Sequence, residues 1–189
     1  VIIRRLTRFR KGATTVEIAV VLSVFLMFLF GVFEYCRYLL MVHVTTNAAR
    51  DAARYAVVNI TRPANFDVRA HQDASGRIHP SIVEFTRIKL SGVDRMIVSP
   101  TQTNYFTHTG ANAGQTLCRV EVFPCNPDNL NSNPPNVTPK VGAASWNDAE
   151  FGQRIAIRIT GNYRPVLPNF LLMGHTIPVN VTVTMGSEG

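Results

Sequence analysis

From Ile18 to Phe33 the chain reads IAVVLSVFLMFLFGVF, without one charged residue. A helix made of such a run is apolar all round, so water cannot solvate any face of it. Extended back to Ala13, the run gives 21 residues, or about 31 Å of helix at about 1.5 Å per residue. That length spans a hydrocarbon core of about 30 Å. Arg4, Arg5, Arg8, Arg10 and Lys11 precede the run, and Glu34, Tyr35, Arg37 and Tyr38 follow it. These flanks predict a membrane anchor with its cationic end cytoplasmic and its tyrosines at the far interface. A cleaved secretory signal also starts with a basic region and an apolar run, but its small-residue cleavage site is missing, because Phe33, Glu34, Tyr35 and Cys36 stand there. The same bulky residues before Cys36 argue against a lipoprotein signal.

The flanks also explain the charge. The chain carries a formal +7, and the five cations before the apolar run have no acid among residues 1 to 12, which leaves +2 for everything else. In the remainder, basic residues are interspersed with acids and form no aromatic-interleaved stripe, so a nucleic-acid surface is excluded as the reason for the high pI. The partner that fits the basic segment is an anionic membrane leaflet.

Beyond the apolar run, LLMVHVTTNAARDAARYAVV keeps a helical composition, and the helix is expected to reach about Val58. Ala48, Ala49, Ala52, Ala53 and Ala56 recur at threes and fours and form a narrow stripe that lets another element approach closely, most simply the protein's own sheet. Arg62-Pro63 ends the helix, and residues 61 to 80 read as a polar loop. Ser81 followed by Glu84 is a capping signature and Gly92 a stop, which predicts a short helix from Ile82 to Ser91, with a strand left open by the β-branched content. The pattern then turns to strands: Arg95 to Ser99, Leu117 to Phe123, Arg154 to Thr160 and Thr176 to Thr184. In the second of these, Cys118, Val120 and Val122 alternate with Arg119 and Glu121, so one face is expected to be wet. The predicted class is α+β, a long N-terminal transmembrane helix continuing into a small antiparallel sheet of about four strands. The expected divisions are a basic leader at 1–12, the helix at 13–60 and an exported domain at 61–189.

Catalytic and cofactor chemistry find no footing. His43, His71, His79, His108 and His175 are dispersed, with neither a HExxH spacing nor a pair on one helical face. Gly110 and Gly114 lie in a polar stretch with no Lys-Ser/Thr on a following helix, so no phosphate loop is expected. Asp128, Asn129, Asn131 and Asn133 resemble a calcium loop in composition but lack its spacing and closing glutamate. Cys36, Cys118 and Cys125 are too few and too far apart for structural zinc. No cofactor is expected. Outside the cytoplasm, Cys118 and Cys125 could close a small disulfide loop around Pro124; two unlinked thiols on a strand and its following turn fit the sequence equally well.

One constellation combines residue type, spacing and context: Arg10-Lys11-Gly12-Ala13-Thr14-Thr15-Val16-Glu17, followed at once by the apolar run. It resembles a type IV prepilin processing site. In that family a membrane aspartyl peptidase cuts after the glycine that ends a short basic leader, and a glutamate is the fifth residue of the mature chain. The resemblance implies a prepilin peptidase as partner, cleavage between Gly12 and Ala13, and an assembly role for Glu17. Physics gives Glu17 a matching problem. It lies roughly 6 Å along the helix from Ala13, inside apolar sequence, where an ionised carboxylate is unfavourable unless paired. The α-ammonium at Ala13 of a neighbouring subunit would be such a partner.

The longer stretch, with its GAxxVE start, a centre of Phe30-Gly31, two residues and Glu34, and an end of Asn47-Ala48-Ala49-Arg50, two residues and Ala53-Arg54, is similar to the N-terminal region of the TadE-like family, minor pseudopilins of the tight-adherence (Tad/Flp) pilus system. The C-terminal VNVTVTMGSEG, with Met185 and Glu188, is similar to that family's closing strand. The major Flp pilin is very short and has tyrosine after the glutamate, whereas Ile18 follows Glu17 here and a large domain follows the helix. The resemblance therefore implies a minor or priming subunit in a bacterial inner membrane, with other pilin or pseudopilin subunits as partners and the C-terminal domain periplasmic or extracellular. The rival from another class is an uncleaved, signal-anchored envelope or surface protein whose C-terminal domain binds a ligand; an anchored enzyme is third.

Overall fold

The computed structural model describes residues 11–93, 96–98, 118–126, 137–149, 152–166 and 176–186. The cations from Arg4 to Arg10, the Asn-rich segment at 128–133, His108, His175, Glu188 and the strand ends Arg95, Ser99 and Leu117 lie outside the described residues. The arrangement is α+β, as expected: a long helix, α1 (Lys11–Val58), then short elements and an antiparallel sheet. The chain divides into two compact units, Val1–Arg37 and Tyr38–Gly189.

In the first unit the described backbone is all α1. Residues 15 to 30 are exposed, including Ile18 at 66% and Phe28 at 69%. A helix is the form this sequence must take in lipid, because every backbone N–H and C=O between its ends is satisfied within the segment. The one hydroxyl in the middle of the run is satisfied in the same way, Ser23 Oγ donating to the carbonyl of Ala19 at 2.8 Å.

In the second unit, the remainder of α1 supplies the spine of the core. Met41, Thr45, Ala48, Ala49, Ala52, Ala53 and Ala56 are all at most 2% exposed. All but Thr45 share one hydrophobic cluster with Ile97, Cys118, Ile155, Ile157, Ile159, Tyr163 and Val179. The alanine stripe therefore packs into the protein's own core, as its spacing predicts, and methyl-sized side chains let the helix come close to its neighbours. The buried Thr45 hydroxyl causes no deficit, since it donates to the Met41 carbonyl at 2.8 Å.

The sheet is organised by β5 (Arg154–Tyr163). Along one edge it pairs over its whole length with β6 (Ile177–Gly186), from Arg154 opposite Gly186 to Tyr163 opposite Ile177. Along the other it meets two strands end to end: β4 (Arg119–Pro124), with Arg119 opposite Thr160, and β3 (Ile97–Val98), with Ile97 opposite Tyr163. Ile155, Ile157 and Ile159, on one face of β5, are fully buried in the main core. The short helix α2 (Ile82–Lys89) begins as its cap predicts, with the Ser81 hydroxyl accepting from the Glu84 N–H at 3.1 Å. It is followed by Gly92 at φ 98°, a left-handed conformation that glycine adopts without a steric penalty.

Two expectations need correction. Residues 61 to 80 are more than a loop: a 3-10 turn (Ala64–Asp67) buries Phe66, and a small hairpin joins β1 (His71–Gln72) to β2 (Ile78–His79). Two-residue strands have no room for the alternation that reveals longer ones. Second, the outer face of β4 is not uniformly wet. Phe123, Cys125 and Ala156 form a second buried cluster with Val137, beneath a segment held by hydrogen bonds from Asn126 N–H to the Thr138 carbonyl and from Lys140 N–H to the Pro124 carbonyl.

Of the two arrangements left open for the cysteines, the structure has the unlinked thiols: Cys118 and Cys125 are not joined in a disulfide. Seven residues apart along β4 and its extended ends, they stand about 23 Å from each other at roughly 3.3 Å per residue, far beyond the roughly 7 Å limit on Cα separation for a disulfide. Their odd spacing also puts them on opposite faces, Cys118 in the main core and Cys125 in the second cluster. Burial pushes the Cys125 thiol up to about 11 despite the opposing influence of Arg154 and Arg158.

Candidate assembly site on the apolar helix

The sequence-predicted processing and assembly residues all fall at the start of α1, which places Gly12 and Ala13 in its first turn. The Gly12–Ala13 bond is thus in helical backbone, not the extended form a peptidase would bind. Opening it is easy: the first four N–H groups of a helix have no intrahelical partner, and glycine in a helix costs about 1 kcal/mol relative to alanine.

Glu17 is exposed and lies on one surface of the helix with Ile18, Val21, Leu22 and Phe25. It is the sole charged residue between Ala13 and Phe33. An acidic side chain at the centre of a membrane helix costs about 3 kcal/mol on insertion scales, and less towards the end. Glu17 is near the end, in the second turn of α1.

A second carboxylate of the apolar helix is treated differently. Glu34 is 5% exposed, and Arg37 Nη1 lies 3.4 Å from its Oε2 and 3.5 Å from its Oε1. Acid preceding base by one turn is the favourable orientation for a helical pair, and pairing is what a buried charge requires. In the sequence Glu34 stands out only as part of an interfacial cluster and as the acid after Phe30-Gly31; no local signal announces its burial. The contrast is informative, since of the two acids only Glu17 is exposed on an apolar surface.

The second unit holds a separate polar cleft of about 1030 Å³, whose lining includes Arg54, Tyr55, Arg62, His71, His79 and Lys89. Its floor is aromatic, with Tyr55 stacked on Phe85 at 4.3 Å. Its hairpin wall is fixed by Asp73, which accepts hydrogen bonds from Arg62 through one oxygen and from His79 through the other. The Arg62 bond, reinforced by His79, holds the Asp73 carboxyl well below the usual range, at about 2. Lys89 is paired with Asp51 at 3.2 Å. The sequence did not bring these residues together, because the hairpin that carries His71, Asp73 and His79 was not legible. Among the described residues no cluster of His, Cys, Asp and Glu suits a metal ion.

α1 is the one helix among the described residues long and apolar enough to cross a membrane, and the apolar window that qualifies it is wholly unburied. This supports a single-pass membrane protein. No curated protein and no solved structure matches the chain. The scan of family models does find a match over residues 12–54, which begins at Gly12, includes Glu17 and Glu34, and ends just before the last alanine of the stripe. Over that segment, the one with the exposed glutamate and the membrane-length helix, the chain is similar to the TadE-like protein family.

Proposed function

We propose that this chain is a non-enzymatic structural or priming subunit of Tad/Flp pilus biogenesis, a minor pseudopilin. In this reading α1 holds it in the bacterial inner membrane with residues 1–12 on the cytoplasmic side, a prepilin peptidase cuts after Gly12, and residues 61–189 form the exported domain. The observation that carries the reading is the exposed Glu17, alone in an apolar surface and four residues from Ala13, in a segment that matches the TadE-like family.

The mechanism follows from the energetics of that carboxylate. Cleavage creates an α-ammonium at Ala13. When two helices lie side by side, the Glu17 carboxylate of one and the Ala13 ammonium of the next form an ion pair in a medium of low dielectric, where the attraction is strong and each charge is otherwise unfavourable. The pair fixes an axial stagger of roughly 6 Å between neighbours, the rise over four residues. An uncleaved chain has no ammonium at this position and cannot make the bond. The N-terminus of the protein extracted from membranes, with and without a prepilin peptidase in the cell, tests the reading.

One observation favours the rival function, an anchored binding protein without processing. The cleft between the end of α1, the β1–β2 hairpin and α2 has the aromatic floor and convergent polar groups of a recognition site. Retention of the leader would favour that reading.

A further inference from the structure

β6 is ten residues long, IPVNVTVTMG, and carries no charge. One of its edges is fully paired with β5. Among the described residues no strand pairs with the other. Sheet proteins protect such edges with lysines, prolines, bulges or short strands, because a row of unpaired N–H and C=O groups is a template for another strand. β6 has one such device, Pro178, next to its start. Its core-facing residues are also incompletely covered: Ile177, Val181, Val183 and Met185 pack on the core but remain partly exposed. We propose that the outer edge of β6 pairs antiparallel with β6 of a second copy of this chain, joining two four-stranded sheets across a two-fold axis.

The occupant follows from the strand's own pattern. Val179, Val181, Val183 and Met185 face the core side, and Asn180, Thr182 and Thr184 the other. Directly opposed residues in an antiparallel pair point to the same face, so a self-pairing must be centred on a residue and not between two. Centring on Thr182 sets Thr182 opposite its own copy, Val181 opposite Val183, Asn180 opposite Thr184 and Val179 opposite Met185. Apolar then meets apolar and polar meets polar, and no like charges are opposed. Pro178 falls opposite Gly186 at the outermost rung, where its missing N–H matters least. Centring on Val181 would move Pro178 inside the ladder. A strand with lysines or glutamates would find no counter-charge on β6, whereas the same sequence is complementary to itself, as a two-fold interface requires.

The test uses the full chain in membranes. In a Cys36→Ser background, Thr182→Cys treated with a mild oxidant should give a disulfide-linked dimer, because directly opposed residues have Cα atoms about 4.5–5.5 Å apart, within disulfide reach. Thr184→Cys should give none, since its copies would be separated by roughly 13 Å. Thr182→Lys and Thr182→Glu, both on the polar face, should each weaken self-association in detergent by on the order of tenfold, and mixing the two should restore it. Equal cross-linking at 182 and 184, or self-association indifferent to both charge variants, would overturn the pairing. So would a chain that stays monomeric throughout, as expected if another segment of the same chain occupies the edge.

Discussion

The ring of Tyr38 meets that of Tyr163 edge-on, with centroids 5.4 Å apart and planes at 71°. Tyr163 ends β5 and is fully buried, and Tyr38 packs against the same core from α1. The contact joins the beginning of the second unit's helix to the far end of its central strand. Tyr163→Ala should therefore destabilise this unit by about 3–5 kcal/mol, the range for deleting a buried aromatic ring. Chemical denaturation monitored by tyrosine and tryptophan fluorescence would show it; an effect below about 1 kcal/mol would mean the ring is not a core element.

The alanine stripe makes the opposite prediction for added volume. Ala52 and Ala53 are fully buried, and leucine at either place should cost about 1–3 kcal/mol or more through overpacking. Val58→Ala, at the last residue of the same helix and 80% exposed, should change stability by less than about 0.5 kcal/mol. Thermal melts of the three variants in one detergent check the order.

The β1–β2 hairpin should respond to acid. The Asp73 carboxyl is held at about 2, below its ordinary 3.8. A folded-state value that is depressed contributes stability above the ordinary value, and that contribution is lost as pH falls from about 4 through about 2. Asp73→Asn should therefore raise protease sensitivity of residues 71–79 at neutral pH, and the difference from the parent chain should vanish near pH 2. A difference that persists unchanged at pH 2 would show that ionisation of Asp73 is not what holds the hairpin.

Much of this fold was legible because its longest elements have simple periodicities. The apolar run and the alanine stripe gave α1 to its last residue, and alternating isoleucines and valines gave β5 and β6 within three residues at each end. The hairpin was not legible: His71, Asp73 and His79 are polar residues in a polar stretch, and side chains distant in sequence, such as Arg62, hold them together. The cysteines left two arrangements open for a related reason. Closeness in sequence allowed a disulfide loop as well as two unlinked thiols, and the extended backbone of β4 separates them. For the assembly site, Gly12, Ala13 and Glu17 could be singled out from local spacing, whereas no local signal announces the burial of Glu34.

With Cys118 and Cys125 apart, alkylation of the denatured chain without reductant should add one label at each of Cys36, Cys118 and Cys125. The native chain should label fastest at the exposed Cys36 and slowly at Cys125, whose buried thiol is held at about 11. A mass two labels short would establish a disulfide and contradict the strand geometry.

Glu17→Ala should leave membrane insertion intact, or improve it slightly, because a carboxylate is removed from apolar surroundings. Processing after Gly12 should also persist, while pilus number falls sharply. Pilus counts by electron microscopy, alongside immunoblots of the membrane fraction, separate these effects. Unchanged piliation would reduce Glu17 to a helix-end charge.

The central claim is that Gly12–Ala13 is cut and Ala13 provides the ammonium that Glu17 meets. Its most direct measurement is the N-terminal mass of the protein extracted from membranes of cells that contain a prepilin peptidase and of cells that lack it. The account predicts a chain beginning at Ala13 in the first and an intact basic leader in the second; an intact leader in both would contradict it.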